Sequence, residues 1–309
     1  MAKLPDDVLA HFVDREEFCH PEWPAISQKI EAGIPEEQKT EIWREAVLTW
    51  LDRVQKKLGP TYTIFETRHF FLVANPTGKP VRDYFAFVER TRQLLHEVLQ
   101  NAAWKGGYGK HVVLLFDEQK DYYQYLAPFY GDGDHPASGG VFLRGGGYRH
   151  IAIPFDRESF LTTFAHEYTH NCLCHLAIPR WLNEALAMRF ERMMVSSNAL
   201  IVDHEVLEKH EKQWNADTIQ EFWKGESWSK ADESFNLSYQ LSRILLGKIE
   251  EVIRPPKERL RSFILEAHYR DAGEVSSLKH LQVGLGDLVT DFLGNGEWTP
   301  NPDQWKASK

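Results

Sequence analysis

The sequence predicts an α+β protein, because helical patterning occupies both ends of the chain and strand-like patterning lies between them. Apolar residues recur at helical spacing early in the chain, a strand-rich stretch follows, and residues from 159 onward are almost wholly helical in pattern. A chain of 309 residues is long enough for two lobes. We therefore expect an N-terminal helical region (1–58), an α/β subdomain with an edge strand (59–158) and a helical subdomain (159–309).

The N-terminal region is expected to be helical up to a glycine–proline stop. Within residues 36–58, apolar side chains recur at intervals of three and four residues. They are Ile42, Ala46, Val47, Trp50, Leu51 and Val54. This spacing places them on one buried helix face. Gly59 and Pro60 then end the helix.

The middle of the chain changes to strand-like patterning. Residues 62–73 are rich in β-branched and aromatic side chains and predict a strand or a bent hairpin, and residues 111–116 predict a buried strand. Two further short strands are expected at 141–144 and 149–154. The glycine triplet at 145–147 predicts a hairpin loop between them, because no helix follows it as a phosphate-binding loop would require.

Helical spacing returns at residues 81–104 and dominates the C-terminal half. The helices expected there are 159–176, 180–195, 206–213, 238–252, 258–269 and 278–293. Prolines at 179, 255 and 256 separate successive helices.

Composition and charge exclude several function classes. The formal net charge is −9 and the pI is near 5.9, so the chain has no general attraction for nucleic acid or an anionic membrane. The three cysteines, Cys19, Cys172 and Cys174, do not suit a disulfide framework and favour a reducing compartment. No stretch has the pattern of a secretory leader or a bilayer span. We expect a cytoplasmic protein with neither a nucleic-acid nor a membrane partner.

The expected helix at 159–176 contains the pattern H-E-x-x-H, as His166-Glu167-Tyr168-Thr169-His170. Two histidines four residues apart lie on the same helix face, one turn from each other, so both imidazoles can reach one metal ion. Glu167 lies about 100° further round the helix and can act as a general base on a metal-activated water. The competing interpretation is a solvated polar face of an amphipathic helix.

A third ligand is expected from the next helix, at Glu184 within the segment Arg180-Trp181-Leu182-Asn183-Glu184. Catalytic zinc commonly has three protein ligands and one open position. His166, His170 and Glu184 form a His₂Glu set that suits one Zn²⁺ per chain. Without the histidines, Glu184 would be interpreted as an ordinary solvated carboxylate.

The two motifs together resemble the gluzincin metallopeptidases, most closely the peptidase-MA-like group, whose members carry HExxH followed by W-L-x-E-G-x-A. The resemblance extends loosely to residues 64–70, 138–141 and 149–153 and covers roughly residues 60–293. Two departures are visible. Ala185 stands where the family usually has glycine, and Met188 stands where some gluzincins place a carboxylate that orients a ligand histidine.

The resemblance implies a thermolysin-like, two-lobed fold with a small mixed sheet and a helical C-terminal lobe. It also implies a zinc peptidase that hydrolyses a peptide or protein substrate, with Glu167 as the general base. An extended substrate could add to an edge strand at 149–153. In the aminopeptidase branch a tyrosine donates to the oxyanion, and Tyr239 lies at a similar place. Tyr239 could equally anchor the start of its helix.

Two rival functions remain. The fold could be retained as a zinc-bound, non-catalytic scaffold that binds peptides or proteins, or the chain could be a helical interaction protein with accidental motifs. Other side chains that could be considered as site residues are expected to be structural. They are Cys172, Cys174 and His175 near the motif, the histidines 135, 150, 204 and 210, and the tryptophans 214, 223 and 228, which could alternatively line a cleft.

Overall fold

The computed structural model describes residues 3–77, 81–104, 106–130, 139–195 and 202–306. It shows a mixed α+β protein with a five-stranded mixed sheet. The chain divides into two compact units, of which unit 1 comprises Met1–His96 with Lys105–Asn171 and unit 2 comprises Glu97–Trp104 with Cys172–Lys309.

The strands lie in unit 1. They are β1 (Phe12–Arg15), β2 (Phe18–Pro21), β3 (Thr63–Glu66), β4 (Phe70–Ala74), β5 (His111–Phe116), β6 (Val141–Gly145) and β7 (Tyr148–Pro154). The helices that begin in unit 1 are α1 (Asp6–Leu9), α2 (Trp23–Gly33), α3 (Glu36–Leu58), α4 (Val81–Leu99), α5 (Gln119–Leu126) and α6 (Phe160–Leu173).

The five-stranded sheet has the order β3-β4-β5-β7-β6. Strands β4, β5 and β7 run parallel, whereas β3 and β6 pair antiparallel at the two ends. The expected hairpins at 62–73 and around the glycine triplet are confirmed. The expectation that 149–153 forms an edge is wrong, because β7 pairs with β5 on one side and its own hairpin partner β6 covers the other.

The prediction that residues 1–58 are helical is wrong for β1 and β2, which form an antiparallel hairpin. The turn between them is made by Glu16 and Glu17, whose φ angles are +49° and +67°. The rest of the prediction is confirmed, because α3 spans residues 36–58 with the expected apolar face buried. Trp50, at the centre of that face, donates from its indole Nε1 to the Cys19 carbonyl at 3.0 Å.

The two faces of the sheet pack against different helices. Phe71, Val73 and Val112 belong to the core that α2 and α3 build on one face. On the other face, the ring of Phe70 lies 5.8 Å from that of Phe164 in α6. Neighbouring residues of a strand point to opposite faces, so this alternation separates α6 from the N-terminal helices.

Unit 2 is helical among the residues described. Its helices are α7 (Arg180–Met194), α8 (His204–Gln213), α9 (Thr218–Lys224), α10 (Glu233–Lys248), α11 (Lys257–Glu266), α12 (Glu274–His280), α13 (Leu285–Leu293) and α14 (Pro302–Lys306). The single helix expected at 278–293 is wrong, since α12 and α13 are separated by a break at which Gln282 has a φ of +62°. The helix expected at 238–252 begins earlier, at Glu233, and ends in a π-helical turn, Ile249–Ile253.

Three tryptophans, Trp214, Trp223 and Trp228, are buried in unit 2 as core anchors, as expected. Trp181 and Trp223 tie separate segments together, because their indole nitrogens donate to the carbonyls of Ala272 and Trp298. None of the helices in the described part of the chain combines the length and the apolarity that a bilayer span requires.

Candidate metal centre

Helix α6 is anchored through a ladder of aromatic rings on one side. Phe160, Phe164 and Tyr168 follow each other at four-residue spacing and are fully buried. The rings of Phe164 and Tyr168 lie 5.5 Å apart and nearly parallel. Asp156 caps the helix start by accepting from the Ser159 amide at 3.1 Å. With 3.6 residues per turn, this packing turns residues 166 and 170 to the other side of the helix.

The two motif histidines lie side by side on that other side. The ring centroids of His166 and His170 are 4.7 Å apart, with the planes at 79° to each other. Both side chains are half-buried. The intervening Tyr168 is buried on the aromatic side, where its hydroxyl lies 3.2 Å from His111 Nε2. The helix therefore divides its side chains into a packed face and a face that carries both imidazoles.

Glu184 lies in the first turns of α7 and is buried, with 8% of its surface exposed. The helix begins after Pro179, and Trp181 fixes its first turn through the bond to the Ala272 carbonyl. One carboxylate oxygen of Glu184 lies 4.0 Å from Arg180 Nε. The guanidinium of Arg180 stacks over the Trp228 ring at 5.5 Å. Burying a carboxylate costs free energy unless a cation lies close to it, and Arg180 supplies a positive charge near Glu184.

His166, His170 and Glu184 form a group that could hold a metal ion. One ligand atom from each residue lies within 4.8 Å of the other two. Three ligands bound tetrahedrally to one zinc ion at 2.0–2.1 Å lie roughly 3.4 Å apart, so a small inward movement of the side chains suffices. Two neutral imidazoles and one carboxylate are also a donor set that zinc accepts. The residues present fit a zinc ion.

The sequence analysis did not single out Tyr130, a tyrosine whose pKa is influenced by the charge of Glu167. Tyr130 follows a 3₁₀ turn at Ala127–Phe129. Burial, and secondarily the negative charge of Glu167, raise the pKa of the Tyr130 phenol. The phenol therefore shares the electrostatic environment of Glu167. The aromatic-rich segment before it carries no motif that would have singled it out.

The chain passes very close to α6 just before strand β6. A Cβ atom added at Gly140 would lie 2.5 Å from Thr163 Cγ2 and 3.3 Å from Ile153 Cγ1. Thr163 lies three residues before His166, so the start of β6, one of the two outer strands of the sheet, lies about one helical turn from His166. Only a residue without a side chain fits this approach.

Tyr239 lies in the second turn of α10, which corrects the expectation that it opens its helix. Asp232 caps the start instead, by accepting from the Ser234 amide at 2.9 Å. The Tyr239 ring packs edge-on against Phe235 at 5.2 Å and against Trp228 at 6.4 Å. Tyr239 therefore packs against Trp228, the ring over which the Arg180 guanidinium stacks.

Two of the other histidines that the sequence analysis singled out, His150 and His210, are packed in the interior. His150 is buried and lies 2.6 Å from the Tyr125 hydroxyl, and His210 is buried and accepts from the Trp214 indole at 2.8 Å. His204 is exposed. His135 lies outside the described residues.

Comparison with known proteins adds no relative: no protein-family model matches the chain, and a search of curated proteins finds no match.

Proposed function

We propose that the protein is a zinc-dependent metallopeptidase with His166, His170 and Glu184 as the metal ligands. The observation that supports this most directly is the approach of one ligand atom from each residue to within 4.8 Å of the others. Sequence supplies the second support, because the histidines occur as HExxH and the carboxylate as W-L-x-E. On this proposal the α+β chain is a thermolysin-like, gluzincin-type peptidase.

The chemistry follows from the ligand set and the acid between the histidines. A bound zinc ion would polarise the scissile carbonyl and lower the pKa of a water molecule toward about 7. Glu167 would accept the proton of that water as it attacks, and would then deliver a proton to the leaving amine. After burial, the charge of Glu167 contributes to the raised pKa of the Tyr130 phenol, so this phenol would remain protonated and able to donate a hydrogen bond.

The substrate would bind as an extended peptide along β6. This strand ends the sheet order, so one side of it has no neighbour among the strands that the structure describes. An added strand gains backbone hydrogen bonds without requiring a particular sequence. The tight packing of Gly140 on α6 would hold this edge at a fixed distance from the helix that carries Glu167.

The test is cleavage of a diverse peptide mixture, followed by mass spectrometry, with zinc supplied. We expect the wild type to generate products and Glu167→Gln to lose at least about 10²-fold in rate while retaining zinc. Glu158→Gln is the matched control, since Glu158 is an exposed glutamate just before the same helix.

The outcomes separate the candidate functions. Products from the wild type alone support the peptidase and report its bond preference. Equal turnover by Glu167→Gln contradicts the mechanism. Zinc bound in equimolar amount without any product would favour the non-catalytic scaffold, and a chain that binds no zinc would contradict both proposals.

A further inference from the structure

Unit 1 contains a cavity on the sheet face opposite α6. Its volume is about 470 Å³, within the usual range for small-molecule sites. The cavity lies between β2, the start of α2, the end of α5 and the β6–β7 hairpin. His150 and Leu143 line it from the sheet, on the face that packs against the N-terminal helices. It is thus separate from the candidate metal centre.

The walls of this cavity are mostly aromatic. Trp23, Tyr125 and Phe129 line it, and Trp23 and Tyr125 are almost wholly buried. Phe129 is 45% exposed although its ring packs against His20 at 5.3 Å. An apolar ring left this open beside a cavity gains contacts when a ligand covers it.

His20 is the polar group of the cavity that the fold leaves unused. The side chain is 6% exposed, and its ring stacks on Tyr125 with centroids 4.9 Å apart. Both ring nitrogens are buried and have no hydrogen-bond partner in the described part of the chain. Burial lowers the pKa of His20 to about 4, so the ring is neutral near pH 7 and offers one donor and one acceptor.

The other polar groups of the cavity already have partners. The Tyr125 hydroxyl and His150 Nε2 lie 2.6 Å apart and satisfy each other. At the rim, Arg15 is paired with Glu22 at 3.1 Å. A ligand that enters therefore meets aromatic rings and one neutral imidazole that has no hydrogen-bond partner among the described residues. A charged ligand would lose hydration without gaining an unpaired interior counter-ion.

We propose that this cavity binds a small, uncharged aromatic molecule that carries one hydroxyl group. The ligand ring would pack against Trp23, Tyr125 and Phe129. The imidazole of His20 would turn so that one of its covered nitrogens meets the cavity and hydrogen-bonds to the ligand hydroxyl. Pairing the imidazole removes the free-energy penalty for a buried, unsatisfied polar group. A ligand with the hydroxyl should therefore bind more tightly than the same ligand without it. The proposal does not depend on the proposed peptidase activity.

The test compares p-cresol with toluene on the full chain by isothermal titration calorimetry. The wild type is expected to bind p-cresol at least about tenfold more tightly than toluene. His20→Phe keeps a planar ring but removes both nitrogens, so the two affinities should become equal. His204→Phe is the control, because this exposed histidine does not line the cavity and should leave the preference unchanged.

Two further measurements keep the result decisive. His20→Gln supplies a donor and an acceptor in a similar volume and should restore part of the preference even where His20→Phe is poorly folded. In the wild type, p-cresol should shift the imidazole ¹⁵N resonances of His20. Absence of saturable p-cresol binding below about 1 mM, equal affinity for toluene, or tighter binding of 4-hydroxybenzoate would each overturn the proposal.

Discussion

The close approach of Gly140 to α6 predicts that one added methyl group destabilises unit 1. The new Cβ would lie 2.5 Å from Thr163 Cγ2, about 1 Å inside an ordinary carbon–carbon contact. Thr163 is β-branched and helical, so it has few χ1 rotamers through which to move the methyl group away. We expect Gly140→Ala to lower the free energy of unfolding by about 1–3 kcal/mol, the usual cost of overpacking.

Thermal and urea denaturation measure this cost. For a unit of about 150–250 residues, each kcal/mol lowers Tm by roughly 2–4 °C. Thr163→Ser removes only the Cγ2 atom in question and serves both as control and as rescue. The double variant should recover at least about 1 kcal/mol relative to the sum of the single variants. Wild-type stability of Gly140→Ala, or strictly additive effects, would refute the close approach.

Three other predictions concern the metal ligand, the tyrosine and the buried histidine. Glu184→Ala should weaken zinc binding by at least about 100-fold, measured by competition with a chelator, whereas the exposed Glu208→Ala should not change it. Tyr239→Phe should lower kcat about 10²-fold at unchanged Tm, as loss of an oxyanion donor does; unchanged kcat with lowered Tm would assign the hydroxyl to packing. Burial lowers the pKa of His150 to about 3. Its unfolded form protonates near pH 6.5, so stability falls by about 1.4 kcal/mol per pH unit from there toward pH 3. His150→Gln should reduce this acid loss in urea titrations, and the exposed His204→Gln should leave it intact.

The sequence predicted the helix and strand types well wherever side-chain spacing alone decides them. The apolar face of α3 and strand β5, which is apolar after His111, are examples. The HExxH spacing likewise predicted the approach of His166 to His170, because a helix fixes the geometry of residues four apart. Glu184 needed a tertiary approach that spacing cannot give, and there the pairing of two motifs supplied the prediction.

The failures have equally specific causes. The β1–β2 hairpin turns at two glutamates with positive φ, whereas sequence patterns associate such turns with asparagine and glycine. Strand order was misjudged because β6 and β7 are both short and apolar, and which one joins β5 depends on a long crossover connection. His20 lies in the β1–β2 hairpin, which the sequence analysis did not predict, so the cavity that this hairpin helps to form could not be predicted either.

The aromatic ladder of α6 also has a thermodynamic consequence. Rings on the packed face hold the helix in one rotation, so His166 and His170 keep their mutual orientation whether or not an ion lies between them. A preorganised pair spends little binding energy on ordering its own side chains. An ion at this centre would then act as a ligand of an already folded protein, and would stabilise it by mass action, about 2.7 kcal/mol at a hundred times Kd. A chelator would then remove the ion from this centre while α6 stays folded.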